Sequence, residues 1–562
     1  MRKIWMHASL ALALLGPAPA LAQADGMAGM HQAFPQTIDD WARGARIFAG
    51  MGDFHRPIET SSTGAQAYFD QGMRFLWAFN HDEAARSFAR ATQLDPKCAM
   101  CFWGVALTLG PNYNMPMMAE ARARAGWQAV RQAQALAAGA SPVDRALIAA
   151  LARRFDGAKP IDPSNYAPLL AAYADAMRDV AQRFPDDLDV QVMLAEALMN
   201  LHPWKLWNAD GTPAPGTPEI VSTLEGVLAR APGHPGANHY YVHAVEASND
   251  PGRAIPSAER LATAMPAAGH LVHMPSHILQ RVGRYEESAE ANRRAVKADA
   301  AYYTQTSAID YYPMYSAHNL QFLAAAAAME GRRAETVSAL REVRKTMPDD
   351  MVAGMDGIDW VVAFLYEAQT RFGLWDAMLA EPAPDPRLKA MVVSYHANRA
   401  IAWAAKGDVA AARAELGLAQ RATDAVPSAA LGGMNAARPL FEIAILRARA
   451  RIAAASGDKA GAVAALTEAV AREDGLSYNE PADEFFPTRH LLGAALLDAG
   501  QAAAAEAVYR EDLRRNPANG WSQLGLAIAL RQQGRTQDAA DAQKRFEQAW
   551  SRSDTPIARS AF

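Results

Sequence analysis

The sequence predicts an all-α protein, a superhelical solenoid of paired antiparallel helices. Small and apolar residues recur at about 34 residues, which is the spacing of tetratricopeptide units. Alanine-rich stretches such as 324–329 and 502–507 favour helix by intrinsic propensity. No segment shows the convincing alternation of apolar and polar residues that is typical of a strand. We therefore expect a tetratricopeptide-type repeat array.

The repeat pattern is clearest near the two ends of the array. Within residues 68–96, Gly72 marks a helix crossing, Phe88 lies on the second helix, and Pro96 closes the unit. Small residues let two helices cross closely, and proline prevents the second helix from continuing. The same layout returns later at Gly493, Gly500, Ala505, Tyr509 and Pro517.

The first residues have the pattern of a cleaved Sec-type signal peptide. Arg2 and Lys3 are positive, residues 8–15 are apolar, and Ala20-Leu21-Ala22 is a small-residue cleavage site. No stretch reaches the roughly 18 apolar residues of a membrane span. We expect a periplasmic or secreted protein without a transmembrane segment.

The domain organisation follows from these patterns. We expect a signal peptide at 1–22, an extended lead-in at 23–64, a first repeat array with a histidine-lined groove at 65–350, a second array at 351–550 and a tail at 551–562. The net charge of −5, from 55 basic and 60 acidic residues, argues against a nucleic-acid partner.

Histidines are concentrated in one part of the chain. Five of the 14 lie within residues 239–277. In tetratricopeptide units, the ligand-facing residues of the first helix form one stripe around the small crossing residue. The crossing residues here are Val242, Ser276 and Ala324. The residues that fall on this stripe are His239, His243 and Glu246 in one unit, His270, His273 and His277 in the next, and His318 in the third.

Histidines at i and i+4 on one helix face are a familiar half-site for a transition metal. Imidazole suits Cu, Zn or Fe, and Glu246 could serve as a general base or orient a ligand. Six imidazoles around a groove favour an incomplete coordination sphere, and thus catalysis or small-molecule capture. The alternative is a metal-free groove that binds a peptide or a protein partner. Pro275 also disturbs the helix, so His270 and His273 could precede it.

Two further features have open interpretations. Cys98 and Cys101 open a first helix, where they could form a structural disulfide, a redox pair or a soft-metal site. The loop from Pro203 to Pro218 interrupts a unit, and Trp204 and Trp207 make it either a lid over the groove or a segment anchored to the scaffold.

Methionines give a weaker indication of copper binding. Thioethers suit Cu(I), but methionine more often fills gaps in a core. The methionine-rich positions are Met27, Met30 with His31, and Met115, Met117 and Met118.

Four stretches resemble a widespread family of exported bacterial tetratricopeptide proteins. They are residues 79–84 (FNHDEA), 98–104 (CAMCFWG), 239–246 (HYYVHAVE) and 269–278 (GHLVHMPSHI). The resemblance covers nearly the whole mature chain and implies a repeat fold and export, but it supplies no reaction. The family pattern has a second histidine where this chain has Gln321. His239, His243, His273 and His277 are therefore the stronger ligand candidates.

Overall fold

The structure is a computed structural model that describes residues 34–116, 118–159, 163–306, 312–355 and 357–562. The predicted signal peptide, Met27, Met30, His31 and Met117 lie outside the described residues. Met118 is buried in the core and Met115 packs against it, as gap-filling methionines do.

The described residues are almost entirely helical. The α-helices are, in chain order, α1 Ile38–Ala42, α2 Thr63–Trp77, α3 His81–Leu94, α4 Ala99–Leu109, α5 Glu120–Leu136, α6 Pro142–Leu151, α7 Pro163–Arg183, α8 Leu188–Met199, α9 Thr217–Arg230, α10 Pro235–Val245, α11 Ile255–Ala264, α12 Gly269–His273, α13 Pro275–Arg281, α14 Tyr285–Tyr303, α15 Tyr312–Met329, α16 Arg333–Thr346, α17 Asp349–Val352, α18 Ile358–Val361, α19 Phe364–Arg371, α20 Trp375–Ala380, α21 Lys389–Ala405, α22 Val409–Asp424, α23 Ala437–Ala455, α24 Lys459–Glu473, α25 Thr488–Asp498, α26 Ala502–Arg515, α27 Gly520–Gln532 and α28 Thr536–Ala549. Short 3₁₀ helices lie at Ala137–Gly139, Ala152–Arg154 and Pro251–Ala254.

Consecutive helices pack as antiparallel pairs. Only three residues connect α2 to α3, and the two helices lie against each other, so the chain must reverse direction between them. The pairs α4–α5, α15–α16, α21–α22, α23–α24 and α27–α28 repeat this arrangement. The predicted all-α solenoid of paired helices is confirmed. The boundary that we placed at residue 350 stays a prediction.

Two local features add detail to the expectations from the sequence. The lead-in contains the short helix α1, which ends at Ala42 because Arg43 is extended and Gly44 adopts a φ of +72°. A two-residue hairpin, β1 Leu431–Gly432 with β2 Asn435–Ala436, lies where no strand was expected. Gly433, with a φ of +65°, makes the tight turn between them.

Pro275 begins α13 directly after α12, and the backbone between the two helices stays helical. It stands at the start of α13, and Met274 between α12 and α13 keeps helical dihedrals. Proline has no amide hydrogen, so one i→i−4 hydrogen bond is missing at this point. His270 and His273 therefore lie on a helical turn, and the alternative in which they precede the helix was wrong.

Glycines at the helix crossings are in contact with large side chains. Gly72 on α2 and Gly104 on α4 lie on either side of the buried Phe88 ring, and a Cβ at either position would overlap that ring. Gly493 and Gly525 flank Tyr509 in the same way. These contacts explain why the repeat pattern was visible in the sequence.

We expect Gly104→Ala to lower the free energy of unfolding by about 1–2 kcal/mol. Overpacking costs about 1–3 kcal/mol, and the higher helix propensity of alanine returns up to about 1 kcal/mol. The matched control is Gly226→Ala on α9, where a Cβ would meet no neighbouring atom, so only the gain in propensity remains. Chemical denaturation followed by circular dichroism measures both changes. Equal destabilisation of the two variants would contradict the crossing role of Gly104.

The N-terminal part of the chain folds back onto the middle units. The amide of Ala267 donates to the carbonyl of Gly50 (3.1 Å), and the Tyr302 hydroxyl donates to Glu83 (3.0 Å). Arg56 is buried between three carboxylates, Asp144 at 3.3 Å, Asp187 at 3.0 Å and Asp189 at 2.8 Å. These contacts fix the lead-in and α3 against α6, α8 and α14.

The C-terminal part also closes onto the middle of the chain. The indole nitrogen of Trp521 donates to the carbonyl of Ala328 (2.8 Å). In the tail, the Asp554 carboxylate accepts the amides of Arg333 (2.7 Å) and Ala334 (2.9 Å) at the start of α16. Both ends of the solenoid therefore pack against its middle units. No helix in the described ranges combines the length and apolar character needed to cross a membrane.

Candidate metal centre

The structure brings all six predicted histidines together. They come from α10, α12, α13 and α15, and each ring centroid lies within 5.2 Å of at least one other ring of the set. His239, His273 and His277 have no exposed surface, His243 and His270 are buried, and His318 is half-buried. The cluster is thus enclosed within the solenoid, whereas the sequence had suggested rings exposed along a groove.

The first three histidines form one group. One nitrogen each from His239, His243 and His270 lies within 4.8 Å of the other two. The Nδ1–H of His239 donates to the backbone carbonyl of Trp77 (2.6 Å), which can only accept. The remaining nitrogen, Nε2, therefore carries a lone pair, and it has no hydrogen-bond partner. Both ring nitrogens of His270 are also unpartnered.

The second group consists of His273, His277 and His318, again within 4.8 Å. The Nδ1–H of His273 donates to the side-chain oxygen of Asn292 (2.7 Å). Asn292 donates its own amide to the carbonyl of Ser288 (2.8 Å), which fixes its orientation. His273 therefore presents Nε2, as His239 does.

Glu246 connects the two groups. Its Oε1 lies 2.9 Å from Nδ1 of His243, and its Oε2 lies 2.5 Å from Nδ1 of His277. Burial raises the pKa of Glu246, but the interactions with His277 and His243 outweigh burial and lower it to about 2. The carboxylate is thus ionised and holds both rings by Nδ1, which leaves their Nε2 atoms for another ligand.

Two imidazole nitrogens face each other in the second group. Nε2 of His273 and Nε2 of His277 are 2.8 Å apart. Nδ1 of His273 donates to Asn292, and Nδ1 of His277 lies 2.5 Å from a carboxylate oxygen of Glu246, which favours a hydrogen on that nitrogen. Both Nε2 atoms therefore carry lone pairs when the rings are neutral. Two lone pairs at this distance repel each other unless an electrophile lies near both. Two nitrogens bound to one ion at 2.0–2.1 Å would be about 2.9–3.4 Å apart.

The enclosed environment favours neutral rings. Burial lowers the pKa of His239, His270 and His273 well below the usual value, and neighbouring histidines lower each of them further. Burial also lowers the pKa of His243, and it lowers that of His318 to about 3. Metal ligation requires the neutral imidazole, so these rings are already in the binding form at neutral pH.

Aromatic rings enclose the histidines. Phe79 stacks on His243 and His270, each at 5.6 Å, and its φ of +56° is unfavourable for a residue with a Cβ. Phe322 contacts His277 at 4.6 Å. Strained residues tend to occur at functional sites, where the surroundings hold them in place.

The loop from Pro203 to Pro218 has one tryptophan in contact with the histidine cluster and one bonded to the backbone of α10. The half-exposed Trp204 lies edge-on to His243 at 5.5 Å and stacks on Tyr113, and its φ is +60°. Trp207 donates its indole nitrogen to the carbonyl of Ala244 (2.7 Å). Trp204 thus contacts the cluster, whereas Trp207 anchors the loop, and the lid function stays a prediction.

Cys98 and Cys101 are joined by a disulfide. Both are buried in a small apolar cluster with Ala65 and Ala91. The structural disulfide is therefore the interpretation that fits this location, and the redox alternative stays a prediction.

Several residues around the cluster were not identified from the sequence. Asn292 was not singled out, and Phe79 appeared only as part of a motif. Glu480, whose Oε2 lies 4.0 Å from Nδ1 of His277, comes from a loop about 200 residues away. No pattern in the sequence connects it to the histidines, because only the closed solenoid brings it there.

Comparisons with known proteins identify no relative that would assign a function. No protein-family model and no curated protein matches the chain. Among solved structures, an IFIT1 monomeric mutant with Gppp-AAAA is 12% identical with a TM-score of 0.35, covering 91% of this chain and 99% of its own. The human IFIT1 dimer with m7Gppp-AAAA is 11% identical with a TM-score of 0.32, covering 87% and 91%. The APC/C hetero-tetramer Cut9-Hcn1 is 12% identical with a TM-score of 0.31, covering 88% and 76%. TM-scores this low support no inference about function.

Proposed function

We propose that this protein binds a transition metal ion through the buried histidine cluster. The observation that carries the proposal is the 2.8 Å approach of the two Nε2 atoms of His273 and His277. With Asn292 and Glu246 accepting at the Nδ1 side, an electrophile near both nitrogens removes the repulsion. The all-nitrogen donor set suits Cu, Zn or Fe.

The chemistry of the surroundings supports a metal rather than a proton. A proton between the Nε2 atoms of His273 and His277 would make His277 an imidazolium paired with Glu246. Such a proton would account for the short distance in the second group of histidines. It would leave the unpartnered Nε2 atoms of His239 and His243 in the first group without a role. Buried polar atoms without partners cost about 1–3 kcal/mol each, and a bound cation would satisfy them.

Glu246 acts in this proposal as an orienting carboxylate. Both of its oxygens lie beside an Nδ1 atom, so neither is free to take a proton from a substrate. A bound ion would supply Lewis acidity and would lower the pKa of a coordinated water. Both an enzyme and a metal-binding protein without catalysis fit this site. The periplasmic or secreted location remains part of the proposal.

The alternative is a metal-free scaffold for a peptide or protein partner. A helical repeat solenoid fits a protein-binding role. The burial of the histidines means that such a partner would bind elsewhere on the surface and would not contact the cluster. Chelator treatment therefore separates the alternatives, since it would leave a partner complex intact.

The test is the metal content of protein purified without a histidine tag. We expect near-stoichiometric metal by elemental analysis, and a loss of at least tenfold in affinity for added Zn(II) or Cu(II) on His277→Ala. The matched control is His396→Ala, whose ring bonds Glu415 at 2.7 Å outside the cluster. Protein that neither retains nor takes up metal would overturn the proposal.

A further inference from the structure

The arrangement of the six imidazoles goes beyond a single bound ion. We propose that the cluster is a dinuclear centre, in which His239, His243 and His270 hold one transition metal ion and His273, His277 and His318 hold a second. This inference rests on the proposed metal binding, and it adds the number of ions and the ligands of each.

The first argument is geometric. Six nitrogens around one ion at 2.0–2.1 Å would all lie within about 4.2 Å of one another. The candidate ligand atoms instead fall into separate groups of three, each with its members within 4.8 Å. The groups are nevertheless adjacent, because the rings of His243 and His277 are 5.2 Å apart and those of His270 and His273 are 5.6 Å apart.

The second argument is the symmetry of the supporting hydrogen bonds. Each group has one ring held at Nδ1 by a neutral oxygen acceptor, Trp77 for His239 and Asn292 for His273. Each group also has one ring whose Nδ1 is beside Glu246, namely His243 and His277. A carboxylate or carbonyl behind a ligating imidazole fixes its tautomer and orientation. Each group therefore has the same pattern of contacts behind its Nδ1 atoms.

A third group of three, His243, Glu246 and His277, spans the two sets. It could be considered a single site in which Glu246 binds the ion directly. The two rings present Nδ1 to Glu246, at 2.9 Å for His243 and 2.5 Å for His277, so their Nε2 atoms are the nitrogens left for an ion. We infer that Glu246 joins two metal sites from behind the ligands and is not itself the central ligand.

The buried carboxyl groups beside the histidines support a second ion. Two divalent cations need more compensation than one carboxylate gives, and a second buried carboxyl is present. Glu480 has an Oε2 without a hydrogen-bond partner, 4.0 Å from Nδ1 of His277. Glu480 is therefore placed to supply a second carboxylate beside the histidines.

Two-metal sites have ions about 3.5–4 Å apart and can hold one small ligand between them. Each proposed ion has only three protein ligands here, which leaves coordination positions for such a ligand. The half-exposed Trp204 lies edge-on to His243 and so borders the cluster. The ligand class is a small oxygen donor such as water or hydroxide.

The test is the stoichiometry of Cu(II) binding to the full-length protein, with two variants that each disable one group. His270→Ala removes a ring whose nitrogens have no partner in the protein, and His318→Ala removes the half-buried ring. We expect two Cu(II) per chain in the unaltered protein and one in each variant, a twofold reduction. His396→Ala is the control and should retain two.

Electron paramagnetic resonance gives an independent readout. Two neighbouring Cu(II) ions couple magnetically, so the unaltered protein should show a broadened signal that integrates to less than its copper content. Each variant should show an isolated Cu(II) signal that accounts for all bound copper. One ion in the unaltered protein, lost equally in both variants, would overturn the dinuclear inference and leave metal binding intact. Absence of any bound ion would overturn both proposals.

Discussion

Replacing Glu246 by glutamine should reduce the stabilisation that each bound ion gives from about 4 kcal/mol to about 1.4–2.7 kcal/mol. The first value applies when the free ion is 1,000-fold above the dissociation constant of the unaltered protein. The second follows if the loss of this carboxylate weakens binding 10–100-fold, as is typical for groups that orient metal ligands.

The physical reason lies in the hydrogen bonds of the amide. The carboxylate lies beside the Nδ1 atoms of both His243 and His277 and can accept from each, whereas the glutamine side chain has only one accepting oxygen. One imidazole must therefore change tautomer, and its Nε2 then carries a hydrogen and no lone pair.

The measurement is chemical denaturation in a metal buffer, with and without Zn(II). The matched control is Glu225→Gln, an exposed glutamate that accepts from Tyr241 (2.7 Å) away from the cluster. It should leave the stabilisation at about 4 kcal/mol. If Glu246→Gln retained the full metal-dependent stabilisation, the orienting role of this carboxylate would be refuted.

Replacing Arg56 by methionine should lower the free energy of unfolding by about 3–5 kcal/mol at neutral pH, which is the usual cost of breaking a buried ion pair from one side. Arg56 is buried and contacts Asp144, Asp187 and Asp189. Without it, carboxylates that are themselves largely buried lose their cation. His234, 2.9 Å from Asp189, is the other partner nearby and would remain.

This destabilisation should depend on pH. Burial raises the pKa of Asp189, but hydrogen bonding to His234 and the charge of Arg56 outweigh it, so the pKa is lowered. A carboxyl with a lowered folded pKa stabilises the fold above its unfolded pKa of about 3.9, and this contribution disappears as the pH falls through the folded value. The difference between the two proteins should therefore be largest at pH 7 and shrink below about pH 4.

The control for charge removal is Arg43→Met. Arg43 pairs with Asp40 at 2.8 Å but is mostly exposed, so we expect a loss of at most about 1 kcal/mol. Thermal and denaturant midpoints across the pH range measure both variants. A pH-independent loss for Arg56→Met would indicate that packing, and not charge, is its main contribution.

The fold class and the histidine cluster were predictable for the same reason. Helical periodicity is a local property, so the sequence alone places His239 and His243 on one face of a helix and His273 and His277 on one face of the next. Adjacent first helices of a repeat array pack side by side, which brings the faces together. His318 followed from the register of the third unit.

The surroundings of the cluster were not predictable in this way. Phe79 and Glu480 reach the histidines because both ends of the chain fold onto the middle, and this closure depends on long-range contacts such as Trp521 with Ala328. Repeat patterns specify neighbours along the array and contain little information about how its ends meet. The expectation of an open groove failed for this reason.

Closure of the two ends has a consequence for which ion is acquired. The residues that surround the histidines extend from Trp77 to Glu480, so the cavity is complete only after most of the polypeptide has been synthesised and folded. By affinity alone, copper would displace most competing divalent ions from an exposed set of imidazoles. Because these imidazoles are buried once folding finishes, we expect the first ion bound to be the one available in the compartment where the last helices dock. Refolding with a single added metal should therefore load that metal, and its later exchange for other ions should be slow.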